Sequence, residues 1–168
     1  MTTSRFHPAS RKNVDRTGDP YLPRKAAPEA GICPDCHAVS RKKRWYADEA
    51  EYAALARAGA QRRRCPACRK IADGFPSGVL TLRGRYLLGH RDEILTVARN
   101  EERRARGINP LERIMDLREG NGALEILTTD EKLAQRIGRE IRKAFRGTLA
   151  FRWSEDANLL RVTWARDL

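Results

Sequence analysis

The chain has 168 residues, of which 34 are Lys or Arg and 22 are Asp or Glu, for a formal net charge of +12 at pH 7. An excess of that size points to a polyanion, because each phosphate met by a cation releases condensed counterions, and nucleic acid is the commonest soluble polyanion. No apolar run approaches the ~20 residues that span a bilayer, and Met1-Thr2-Thr3-Ser4-Arg5-Phe6-His7 has no apolar signal core, so no membrane partner is expected and the cytoplasm is the expected location.

Residues 1–28 carry Arg5, Arg11, Lys12, Arg16, Arg24 and Lys25 against Asp15 and Asp19, with four prolines and no apolar periodicity. They read as a basic, flexible tail. Residues 29–85 hold all four cysteines, in two Cys-Pro-x-Cys pairs at Cys33 and Cys36 and at Cys65 and Cys68. Two intervening residues let a pair turn both sulfurs onto one ion, and two pairs complete a tetrahedron, so one structural Zn2+ is expected there. A thioredoxin-like redox site would need a single pair beside a β-α-β unit, and structural disulfides would need a secreted chain. His37 follows Cys36 at the turn position where glycine is common, and is the weaker candidate for a ligand.

Basic runs flank the pairs: Arg41, Lys42, Lys43 and Arg44 after the first, Arg62, Arg63 and Arg64 before the second, Arg69 and Lys70 after it. A metal that draws the pairs together draws these runs into one patch. Trp45 beside the first run is a candidate for stacking on unpaired bases, or alternatively for packing over the zinc module. Within the insert, Asp48 to Gly59 reads as a short helix ended by its glycine.

Gly78 to Gly84 reads as a strand. Residues 86–120 form a charged helical segment: His90 to Arg106, with Ile94, Leu95, Val97 and Ala98 inward, then a helix begun by Asn109-Pro110 and stopped at Gly120-Asn121-Gly122. Its balanced charges suit a solvated helical pair. Residues 121–168 give the clearest pattern. A strand over Ala123 to Thr128 leads through Thr128-Thr129-Asp130-Glu131 into a helix reaching Arg146, followed by two alternating strands. If Ser154 and Leu159 close the turn, Phe151 faces Val162, Trp153 faces Leu160, and Arg152 lies beside Arg161 on the other face. On the helix, Lys132, Arg136, Arg139, Lys143 and Arg146 fall in an arc of about 80° opposite the apolar row. An unmixed basic stripe suits phosphate.

The fold class expected is α+β: a small treble- or ribbon-like tetracysteine zinc module, then helices and a β-α-β-β domain. With the two Cys-Pro-x-Cys pairs, the Ile71-Ala72-Asp73-Gly74 exit, the strand ending Leu80-Thr81-Leu82-Arg83-Gly84 and the run Asn109-Pro110-Leu111-Glu112-Arg113-Ile114, most of residues 20–168 resembles a family. It is similar to the N-terminal part of the archaeal and eukaryotic large-ribosomal-subunit export adaptors, and more so to short bacterial zinc-ribbon proteins related to them. The resemblance implies a ribosome-associated protein that binds ribosomal RNA on the large subunit. The chain is much shorter than the adaptors, lacks a nuclear-export tail, and has His37 where the family has glycine, so export is not implied.

The function expected is therefore a non-enzymatic, zinc-stabilised RNA-binding protein on the ribosome, in maturation, dormancy or rescue. A zinc-ribbon DNA-binding regulator ranks below it, because no helix is placed like a recognition helix. No His/Asp/Glu cluster, glycine-rich phosphate loop or activated nucleophile is visible, so neither an enzyme nor a small-molecule substrate is expected.

Overall fold

The computed structural model describes residues 20–21, 29–156 and 158–168. The expected tail over 1–28 lies outside the described residues, apart from Pro20 and Tyr21. Among the described residues no helix is long and apolar enough to cross a membrane.

The cysteine-bearing half begins with β1 (Gly31–Ile32), β2 (Ala38–Arg41) and β3 (Arg44–Ala47). The helix α1 (Glu49–Arg57), the strand β4 (Gln61–Arg62) and the helix α2 (Pro66–Asp73) follow. The sheet order is β3-β2-β1-β4, with β4 parallel to β1 and the other pairs antiparallel. The β2–β3 hairpin lies in the insert, just before α1. Its two-residue turn is Lys42-Lys43, both at positive φ (47° and 68°), the geometry that matches the twist of a hairpin but that Asn-Gly normally supplies. Helix α1 is where the insert was expected to be helical. Asp48 caps it by accepting from the Glu51 amide, and Gly59 leaves it with φ 74°.

The larger sheet contains β5 (Gly78–Arg83), β6 (Ile114–Gly120), β7 (Ala123–Thr128), β8 (Thr148–Trp153) and β9 (Leu160–Ala165), in the order β6-β7-β5-β9-β8. Helices α3 (Arg85–Ile108) and α4 (Glu131–Phe145) connect β5 to β6 and β7 to β8. They pack on each other and on one face of the sheet, over a core that includes Leu80, Leu82, Ile94, Ile126, Leu133, Ile137, Ile141, Val162 and Trp164. Gly138 lets α4 come close, since a Cβ there would lie 3.0 Å from Val162 and 3.1 Å from Leu149.

Three expectations need correction. First, β5 does not close the cysteine segment, as a boundary at residue 85 would have it; it is the central strand of the larger sheet. It therefore separates β7 from β9, and the elements β7-α4-β8-β9 follow one another in sequence without forming a contiguous unit. Secondly, 109–120 is not a helix. Asn109 ends α3, donating its amide to the Ala105 carbonyl (2.8 Å), while its side chain accepts from the Leu111 amide (3.0 Å) and closes a turn. Strand β6 then pairs with β7 through an Asn121-Gly122 turn at φ 52° and 69°, a strong hairpin signal. An irregularity between Ile114 and Asp116 gives the apolar residues a spacing that imitates a helix. Thirdly, helix begins earlier than expected: α3 starts at Arg85, and the expected start, His90, is the kink (φ −128°, ψ 19°) after which its long second part runs.

The C-terminal hairpin has the expected register, with Phe151 opposite Val162, Arg152 opposite Arg161 and Trp153 opposite Leu160. The Ser154 amide donates to the Leu159 carbonyl at 2.9 Å. Trp164 is fully buried and donates its Nε1–H to the Arg146 carbonyl (2.7 Å), a group that the end of α4 leaves without a helical partner.

Candidate metal centre and cationic surface

The first cysteine pair sits in the loop between β1 and β2, and the second opens α2, with Cys65 as its N-cap and Pro66 at its first position. The first loop closes on itself: the His37 amide donates to the Cys33 carbonyl (2.9 Å) and the Cys33 amide to the Ala38 carbonyl (2.9 Å). The four Sγ atoms all lie within 4.8 Å of one another, with Cys36 and Cys65 at 3.6 Å. A tetrahedral ion bound by thiolates at ~2.3 Å puts its sulfurs ~3.8 Å apart, so the cluster fits a single metal ion such as zinc. Backbone amides support the sulfurs, Cys65 N–H donating to Cys33 Sγ (3.3 Å) and Cys68 N–H to Cys65 Sγ (3.4 Å).

Crowding separates the thiols electrostatically. Contacts with the other three sulfurs hold Cys33 well below the usual thiol range and push Cys65 well above it. Cys68 is also pushed up, by Cys33 first and then Cys36. Cys36, raised by Cys33 but lowered further by Cys65 and Cys68, settles at about 7. A bound metal replaces the remaining protons, so loading weakens as the pH falls. His37 is turned elsewhere. Its ring stacks on Tyr52 of α1 at 4.1 Å, and Nδ1 lies 3.2 Å from both Glu49 carboxylate oxygens.

Sequence reasoning missed the groups that tie this centre to the larger sheet. Arg113, at the approach to β6, donates from Nη1 to Cys68 Sγ (3.1 Å), and Leu111 packs against the cysteines. Thr129 fixes that approach: it accepts from the Arg113 amide (2.9 Å) and donates to the Leu111 carbonyl (2.5 Å). No local signal marks Arg113, which is 45 residues from Cys68. A cationic donor on a thiolate ligand lowers the charge the cluster must carry, so Arg113→Ala is expected to weaken metal binding by roughly 10- to 100-fold. Competition against a chelator measures this, and unchanged affinity in a folded variant shows the contact to be incidental.

The expected nucleic-acid residues separate into two groups. Lys42, Lys43, Arg44 and Arg62 are exposed on the small sheet, and Lys132, Arg139, Lys143 and Arg146 are exposed on α4 or at its end, with Arg139 over the Phe151 ring at 5.7 Å and Lys143 3.9 Å from Glu140. Arg142 is exposed there too and was missed, because it lies outside the arc taken as the basic stripe. Arg139, Arg142, Lys143 and Arg146, with Glu140 and Gly147, line a hollow of about 600 Å³. The second group is engaged within the protein. Arg41 bonds to Glu51 (2.7 Å), Arg64 pairs with Asp35 (2.5 Å), and Arg63 donates to Ser40 (2.7 Å). Arg69 is exposed but lies over the Tyr21 ring at 5.2 Å. Trp45 is half-buried against the cysteine cluster with Arg63 over its ring at 5.6 Å, the packing alternative rather than an open stacking face.

Two residues of the expected interface are corrected outright. Lys70 is buried and donates to Ser77 Oγ (2.7 Å) and the Thr129 carbonyl (3.2 Å), joining α2 to the larger sheet. Arg136 lies between two buried carboxylates, pairing with Glu101 at 3.4 Å and bonding to Glu112. Helical spacing placed Arg136 on the basic stripe, but the spacing carries no record of acids supplied by α3 and the 109–113 turn.

The class this site defines is an α+β protein with a cluster of four cysteines close enough together to hold a metal ion. No family model, curated protein or solved structure matches the chain.

Proposed function

We propose that this is a zinc-stabilised, treble-clef- or ribbon-like RNA-binding protein that acts on the ribosome, on the large subunit, in maturation, dormancy or rescue. The observation that carries the reading is a four-sulfur cluster built into a sheet whose hairpin tip presents Lys42, Lys43 and Arg44 to solvent and whose opposite edge strand presents Arg62. Four thiolates leave zinc no open position, so the metal supplies cohesion, and the chain's own residues supply binding. The cysteine pairs join the β2–β3 hairpin and β4 into one sheet, on its opposite edges, and the exposed cations of α4 add a second cationic surface. The ribosomal part rests on the sequence resemblance to the export adaptors and their bacterial relatives.

Sedimentation of zinc-loaded protein with ribosomes through sucrose tests this. Co-migration with the large subunit at low salt, lost at high salt, is expected. Protein that stays at the top of the gradient at low salt overturns the ribosomal assignment.

A further inference from the structure

Resting on the reading that the chain binds RNA, we propose that its ligand is base-paired RNA, gripped by its phosphates on a rigid array of cations. Recognition of a single strand draws on rings left open for bases to stack on. Among the described residues most rings are already in use, and Tyr46 is tied down by its hydroxyl, which donates to Glu51 (2.7 Å). Trp45 covers the cysteines, Tyr52 stacks on His37, and Tyr86 lies between His90 (3.9 Å) and Arg166 (3.8 Å). Phe151 and Trp153 pack against the core on the helix-covered side of the sheet, and Trp164 is fully buried. Even Phe75, 44% exposed, has Tyr21 against it at 5.4 Å.

The exposed cations have the opposite character, since they sit on a tight two-residue turn and on directly paired strands. Lys42 and Lys43 both occupy the left-handed region in a two-residue turn, a conformation that lysine adopts only at a cost. Arg152 and Arg161 stand directly opposite each other on exposed positions of β8 and β9, where like charges repel. Each of these features breaks a local rule of stability, and an anion placed between the charges relieves it. Cations fixed by a turn and by a strand pair, the latter on the sheet face away from α4, suit phosphates that are themselves fixed. An A-form duplex offers that lattice across its wide minor groove, together with 2′-hydroxyls.

Fluorescence anisotropy with the full zinc-loaded chain tests the proposal, using a short blunt RNA duplex and each of its strands alone in the same buffer. Duplex affinity at least about tenfold above that of either strand is expected. Equal affinity, or preference for a strand, overturns the proposal while leaving RNA binding in place, whereas no binding to any of the three overturns the reading on which it rests. The double variant Arg152→Gln, Arg161→Gln is expected to lose duplex affinity about tenfold while its melting temperature holds or rises. Wild-type affinity in that variant overturns the assignment of the strand pair to the interface.

Discussion

Serine in place of Cys36 or Cys65 is expected to abolish metal binding and to unfold most of the segment from Gly31 to Asp73, while the helix-covered sheet keeps its core. Apart from the metal site, the small sheet has only a few buried apolar side chains, chiefly Ile32 and Val39, to hold it. Strands β1 and β4 are two residues each, α1 buries no residue, and the cluster around the cysteines consists of Cys33, Ala38, Cys65, Ala67 and Cys68, with Trp45 and Leu111 at its margin. A core of that size does not sustain a fold alone. Binding energy of about 10–16 kcal/mol for a structural zinc is then folding energy, and an incomplete ligand set forfeits most of it. The larger sheet should lose stability as well, because the contacts of Arg113 with Cys68 and of Lys70 with Ser77 and Thr129 depend on the docked module. Elemental analysis should find about one zinc per wild-type chain, and amide exchange should show lost protection over β1 to α2 in the variants. Variants that retain metal and protection contradict this, as does metal-free wild-type protein with the segment intact.

Reversing Arg139, Arg142 and Lys143 to Glu is expected to reduce RNA affinity by about a hundredfold or more at moderate salt, with folding nearly unchanged. All three side chains are exposed on α4, away from Leu133, Ile137 and Ile141. Arg136 supplies the contrast on the same helix. Its removal leaves Glu112, under a tenth exposed, without a counter-charge, while Glu101 keeps Arg104 at 3.0 Å, at a cost of about 3 kcal/mol. Ile137→Ala should cost about 2–5 kcal/mol through the cavity it leaves. A triple variant that binds RNA like the wild type shows α4 to be a solvated face, and the small sheet must then carry the contact alone. An Arg136→Ala variant with wild-type stability removes the ion network from the fold's support.

The cysteine cluster, α1, α4 and the C-terminal hairpin were legible in the sequence because each is specified locally, by ligand spacing, by Asp48 or Asp130 at a helix start, or by period-two alternation. Strand β6 was not. Its irregular register imitates helical spacing, and an asparagine before a proline can close a turn as readily as it can cap a helix. The place of β5 at the centre of the larger sheet depends on pairing with β7 and β9, which lie far along the chain. The cationic surface was half legible for the same reason. Exposure of Lys42, Lys43 and the α4 cations follows from local pattern, but the burial of Lys70 and the pairing of Arg136 are decided by Ser77, Thr129, Glu101 and Glu112, which come from other elements. Arg113 had no local mark because its partner is a sulfur in the other half of the fold.

Binding of a ribosomal RNA helix to the zinc-loaded chain across a range of salt concentrations is the most direct test that a metal-built cationic surface grips phosphate. At least five phosphate contacts give a slope of log affinity against log salt of roughly −4 or steeper, and the reversal of Arg139, Arg142 and Lys143 should flatten it by about two or more. Affinity that does not change with salt, or a slope that the reversal leaves untouched, contradicts the proposed function.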